Sequence, residues 1–197
     1  MPHDTIRISC AALCRIGIDG KFLLEINKNR GDVLTPIGGA LEFHSEARSF
    51  LESLGAGFEK GDDLRLMIPM DKVDAFRDWF GRCEQRETSP LRELREELID
   101  EHRVLPSWPG DPATSAFLRR IEHEEETTRK DRAGTLTRYF YEIFEVTLPA
   151  PLADACRAAV ASPASRLRLL TREELLSGNT TPDGLKIATT SRFVIES

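Results

Sequence analysis

Aromatic residues make up only 7% of the 197 residues, and the chain has 4 cysteines, 3 methionines and 2 tryptophans. Cys10, Cys14, Cys83 and Cys156 form no CxxC pair, which excludes a zinc site of that kind, and a reducing compartment would keep them as thiols. Cys10 and Cys14 stand four apart in a β-like run, on one strand face, and are expected to be buried packing residues. No apolar run approaches the roughly 18 residues that a membrane span needs. The start, Met-Pro-His-Asp-Thr, lacks a charged-then-apolar leader, so a cytoplasmic chain with no membrane partner is expected. Positive charge is also short: 27 Lys+Arg against 33 Asp+Glu leave a net charge of −6. That balance argues against a partner such as polymeric nucleic acid held mainly by phosphate neutralisation, while a local basic pocket for a small anion stays open. G-x-G-x-x-G, P-loop and G-x-S-x-G patterns are missing, so dinucleotide redox chemistry and serine hydrolysis find no support.

What is present is the composition of an ordinary globular protein, 40% hydrophobic and 30% charged. By length it is one domain, 1–197, with a core large enough to need no metal or disulfide for stability. Ile6 to Cys14 and Lys21 to Ile26 read as a β-hairpin across the turn Asp19-Gly20, and Val33 to Ile37 is a short strand running into Gly38-Gly39. Ser45 to Leu54 has helical spacing. Leu64 to Ile68 reads as a strand, and Asp71 is placed to cap a helix whose Val73, Phe76, Trp79 and Phe80 form one apolar stripe. A helix capped by Ser89, with Pro90 at its first position, runs through Leu98.

A loop with Pro106, Pro109, Gly110 and Pro112 follows, then a strand over Ala116 to Ile121 and a charged turn over Glu122 to Arg132. Leu136 to Leu148 is the strongest strand. Leu152 to Val160 is helical, Arg166 to Leu170 is a strand, and Thr171-Arg-Glu-Glu174 is a capping box for a last helix ending at Gly178. Strands and helices interleave, which predicts an α/β layered fold.

The helix after Ser89 carries the chemistry. With about 100° per residue and Leu91 at zero, Leu94 and Leu98 fall near 300° and 340°, and Glu93, Glu96 and Glu97 near 200°, 140° and 240°. Leucines on one face seat the helix, so the carboxylates on the other converge within about one turn. Arg92 and Arg95 relieve part of their repulsion. A hard divalent cation, Mg²⁺ or Mn²⁺, would do so better, since oxygen-only ligands suit it. By spacing alone a solvated charged helix face is the favoured reading.

Pro36-Ile-Gly-Gly-Ala-Leu-Glu42 followed by Arg92-Glu-Leu-Arg-Glu-Glu-Leu98 resembles the two halves of the Nudix box of Nudix hydrolases, and the order of strands and helices agrees over nearly the whole length. The box departs from the ordinary one in three ways. An insertion, 43–89, separates the halves; Ser45, beside Glu46, stands where an acid is expected; and Ile99 replaces the glycine after the double glutamate. An interrupted box of this sort resembles the SMODS-associated Nudix domains of bacterial nucleotide second-messenger systems.

That resemblance implies a Nudix-like α/β/α sandwich with a mixed β-sheet and an insertion inside the box. It implies an Mg²⁺- or Mn²⁺-dependent pyrophosphohydrolase that cleaves a diphosphate linkage in a nucleoside diphosphate derivative. Glu93, Glu96 and Glu97 would hold metal, one of them doubling as base, with the Gly39 carbonyl as a further ligand and Arg92 orienting a carboxylate. Gly38 and Gly39 would let backbone approach metal or phosphate, and Glu42 would hold that loop. The alternative is a non-catalytic nucleotide-sensing or regulatory domain of a bacterial nucleotide-signalling or defence system; Ser45 and Ile99 favour it, and the intact glutamates favour the enzyme. A homodimer through the inserted segment is left open.

Other candidates carry less. His44 beside the box could touch phosphate, Glu122-His-Glu-Glu-Glu126 could add an acid, and Arg129, Lys130 and Arg132 could receive an anion, but ordinary surface positions explain each of them. Trp79 and Phe80 could stack on a base, yet their helical spacing assigns them to the core.

Overall fold

The structure, a computed structural model, describes residues 5–108, 110, 113–177 and 179–195. In chain order the elements are β1 (Thr5–Ile18), β2 (Lys21–Asn27), β3 (Val33–Pro36), α1 (Arg48–Ser53), β4 (Gly57–Phe58), β5 (Arg65–Pro69) and α2 (Val73–Arg82). After them come α3 (Leu91–Arg95), continued by a π-helical turn Glu96–Glu101, then β6 (Thr114–Glu126), β7 (Leu136–Thr147), α4 (Ala150–Val160), β8 (Leu167–Leu170), α5 (Arg172–Ser177) and α6 (Thr190–Phe193). This is the expected mixed α/β architecture, with eight strands in a mixed sheet. The chain divides into two compact units, and β1, β6 and β7 lend residues to both. Pro109, Pro112 and Gly178, which the sequence places in a loop and at a helix end, lie outside the described residues.

The first unit takes residues 5–12, 39–88 and 120–142, and so holds nearly all of the inserted segment. β5 pairs antiparallel with β1 from Thr5↔Pro69 to Ser9↔Arg65, and β4 adds to its other edge. Val73, Phe76, Trp79 and Phe80 are all buried, as their spacing predicts. Phe76 meets Trp79, Phe80 and Phe140 at ring distances of 5.6, 6.1 and 5.5 Å. Burying such side chains contributes about 1.5–3 kcal/mol each, which offsets the ordering of a short helix.

Asp71 does not cap α2: the chain enters through a 3₁₀ turn, Met70–Lys72, no side chain caps the helix, and Asp71 pairs with Lys72 at 3.3 Å. At the other end Arg86, enclosed completely, donates to the Phe80 carbonyl at 2.8 and 3.0 Å and to Glu142 at 2.8 and 3.1 Å. Trp79 and Phe80 are therefore core residues.

Glu122 to Glu126 extend strand β6 where the sequence suggests a turn. Cross-strand charge explains the extension: Arg138 on β7 donates to Glu124 at 2.6 Å, and Arg77 of α2 grips Glu122 with two bonds of 2.8 Å. Glu122 is accordingly held below the usual carboxylate range, first by its hydrogen bond from Arg77.

The second unit takes residues 13–38, 89–119 and 143–195. Asp19 and Gly20, both at positive φ, turn the hairpin so that Ile18 faces Lys21. β2 then lies between β3 and β8, in register Glu25↔Thr35 and Glu25↔Leu167. The capping box forms as read: Glu174 N–H donates to Thr171 Oγ1 at 3.1 Å, and Thr171 N–H donates to the Glu174 carboxylate at 2.7 Å. Cys14 and Cys156 are buried free thiols here, as Cys10 is in the first unit. Among the described residues no helix is long and apolar enough to cross a membrane.

Candidate functional site

Ser89 Oγ accepts from Leu91 N–H at 3.3 Å, but Pro90 takes the cap position that the sequence assigns to Ser89, and Leu91 is the first helical residue of α3. The α register does not reach Leu98. From Glu96 the turns widen, and His102 N–H bonds to the Glu97 carbonyl at 2.8 Å, five residues back. Glu97, Leu98 and Ile99 are buried in succession along this turn, while Glu96 is exposed. Ile99, in the position of the expected glycine, supplies apolar surface to that packing.

The glutamates consequently have three different surroundings. Glu96 is exposed, and Arg92 Nη1 joins it, at 3.3 Å, to the mostly buried Glu93, at 2.7 Å. Glu97 is 8% exposed and accepts from Gly38 N–H at 2.9 Å. Burial pushes the Glu97 carboxyl well up, the Glu25 charge adds to this, the Gly38 hydrogen bond opposes it, and Glu93 and Glu101 contribute further repulsion. Gly38 adopts φ +139°, a conformation that a side chain would strain, so glycine is required where backbone meets the acid. Cys14 lies within reach of the same field: burial first, then Glu97 and Glu93, push its thiol well up.

Sequence reasoning missed two groups of this site. Glu25 on β2 is 3% exposed; it accepts from Asn27 Nδ2 at 3.2 Å and pairs with the His102 ring at 2.9 Å, while Arg166 Nη2 stands 3.9 Å away. His102, 77 residues on, follows the acidic turn directly. The signal for Glu25 was an acid inside the apolar strand Phe-Leu-Leu-Glu-Ile; nothing local marked His102.

Gly39 and Glu42 belong to the first unit. The Gly39 carbonyl accepts from Ala12 N–H at 3.0 Å. Glu42 pairs by backbone with Glu87, whose carboxylate accepts Glu42 N–H at 3.0 Å. His44 is exposed, Arg129 pairs with Asp131 at 2.8 Å, Arg132 stands 3.5 Å from Glu59, and Lys130 is at the surface.

The donor set fits a hard divalent cation chemically. Glu93, Glu96, Glu97 and Glu25 offer only oxygen, and the buried Thr35 hydroxyl opposite Glu25 has no hydrogen-bond partner among the described residues. As they stand, no three His, Cys, Asp or Glu among the described residues are gathered as a ligand cluster; Arg92 holds Glu93 and Glu96, and Gly38 holds Glu97.

Comparison with known proteins gives one family. The SMODS-associated NUDIX domain matches residues 5–195. No curated protein matches. Among solved structures, the E. coli ORF135 protein is similar at 15% identity and a TM-score of 0.40, covering 96% of this chain and 87% of its own.

Proposed function

The chain belongs to the SMODS-associated NUDIX domain family, and from that premise we propose that it is a metal-dependent hydrolase of a diphosphate linkage in a nucleoside diphosphate derivative. The observation that carries this reading is the placement of Glu97, buried against the Gly38 N–H among the charges of Glu25, Glu93 and Glu101. Like charges held together in a low dielectric are unfavourable, and a cation relieves them. Glu97, Glu96 and Glu93 are the groups that would hold Mg²⁺ or Mn²⁺. When bound, the cation neutralises charge on the phosphates and lowers the pKa of water.

The chain's own residues have distinct tasks. Gly38 N–H fixes Glu97 against the loop and leaves its other lone pairs for ligands. Arg92 keeps Glu93 and Glu96 turned toward each other by charge-assisted hydrogen bonds. Glu93 is the acid to which this reading gives the proton of the attacking water.

A second reading, a nucleotide sensor without turnover, is favoured by one feature: Arg92 occupies two of the three acids. Electron paramagnetic resonance titration with Mn²⁺ tests the reading they share. The wild-type chain should bind Mn²⁺, and Glu96→Gln or Glu97→Gln should weaken it by at least about tenfold. Equal affinity in all three proteins would refute the site.

A further inference from the structure

The middle of a sheet is a costly place for a carboxylate unless neighbours satisfy it. Glu25 nevertheless sits there, between Thr35 on β3 and Leu167 on β8. Its Oε1 takes the Asn27 amide and its Oε2 the His102 ring, which leaves lone pairs on both oxygens. Thr35, as its cross-strand partner, projects from the same face; it is 5% exposed, and its hydroxyl is enclosed with no partner among the described residues. A buried hydroxyl in that condition can still take a partner, and the residue across the strand pair from it is an acid. The helical segment that carries Glu97 also supplies His102, since His102 N–H closes the wide turn onto the Glu97 carbonyl.

We propose that Glu25 and Thr35 are the inner, strand-borne half of the cation site: the Glu25 carboxylate and Thr35 hydroxyl take a divalent cation together with Glu97, and His102 is the positioning residue that holds Glu25. This rests on the reading that the acidic helix binds a cation and extends it to residues outside the two box halves. Glu25 brings a second buried carboxylate, and its charge already acts on Glu97. The hydroxyl adds a neutral oxygen that costs no further repulsion. A cation held this way rests on β2 and β3 as well as on the helix, and rigid strands place ligands more accurately than a loop does.

Mn²⁺ alone, titrated into the full chain and followed by electron paramagnetic resonance, tests the assignment. Thr35→Val keeps the shape and removes only the orphaned hydroxyl. Its metal-free melting temperature should be equal or higher, and its Mn²⁺ affinity several-fold lower. Glu25→Gln should lose at least about tenfold, and His102→Ala about 10- to 100-fold, with His102→Gln recovering part because its amide can still donate to Glu25. Should Thr35→Val and Glu25→Gln bind Mn²⁺ as the wild type does while Glu97→Gln does not, the inner half is wrong and the helix site stands. Should Glu25→Gln fail to fold, Thr35→Val decides the matter. A wild-type chain that binds no Mn²⁺ overturns both.

Discussion

Glu142 on β7 is the group to perturb if the inserted segment is an ordered part of the protein. Its carboxylate is 2% exposed and receives four N–H bonds: two from Arg86, at 2.8 and 3.1 Å, and two from Arg120, at 2.6 and 3.3 Å. Arg86, wholly enclosed, lies over the Phe80 ring at 3.8 Å and ties the end of α2, through the Phe80 carbonyl, to the strand bridge Phe43↔Arg86. Glu142→Gln keeps the volume and removes the charge, so two guanidinium groups face a neutral amide whose NH₂ end repels them. Removing one partner of a buried pair costs about 3–5 kcal/mol. In a chain of this size each kcal/mol lowers Tm by about 2–4 °C, so a fall of about 6–20 °C is expected by differential scanning calorimetry. A paired Arg86→Met, Glu142→Leu variant should recover part of it, because the enclosed guanidinium and carboxylate leave together and the remaining Arg120, 28% exposed, reaches water. A single variant melting within about 2 °C of wild type would refute the claim that this pair closes the insertion.

Three further outcomes follow from the packing and the charges. Phe76→Ala should cost about 3–5 kcal/mol by urea denaturation, and amides of residues 73–82 should exchange slowly in the native wild type; rapid exchange there would contradict a buried stripe. Thr171→Ala, which empties the capping box, should cost about 1 kcal/mol, read as a small drop in Tm. Burial pushes Glu59 up, but its paired hydrogen bonds from Arg7, at 2.8 and 2.9 Å, and the Arg7 charge outweigh it, so the carboxyl lies below its usual value. A lowered folded value means that its contribution is full above the usual carboxylate range and is lost as pH falls through the folded value; melting curves between about pH 5 and pH 2 should flatten in Glu59→Gln.

Local rules carried most of what was readable in the sequence. Asp19-Gly20 demanded a tight hairpin, Thr171 and Glu174 specified a cap three residues apart, and Val73, Phe76, Trp79 and Phe80 needed one buried face. What was not readable depended on distant partners. Asp71 looks like a cap, but the turn at Met70 makes another entry. Glu122 to Glu126 look like a solvated turn until Arg77 and Arg138 are placed opposite them. The acidic helix was found from the leucine spacing, yet a uniform 100° wheel put all three glutamates outside. Glu97 is nonetheless buried, and Glu25, on β2, is joined to that segment through the His102 ring.

In the proposed function the three glutamates of the α3 segment serve metal-dependent cleavage of a diphosphate. The most direct test is chromatography of products after incubating the wild-type chain, Glu96→Gln and Glu97→Gln with a panel of nucleoside diphosphate derivatives and Mg²⁺ or Mn²⁺. Loss of a ligand carboxylate should remove several kcal/mol of transition-state stabilisation, hence at least about 10²-fold in rate. Release of a nucleoside monophosphate by the wild type, abolished in both variants while their folds remain intact, is the result predicted. Recovery of every nucleotide unchanged, or near wild-type turnover in both variants, would contradict it.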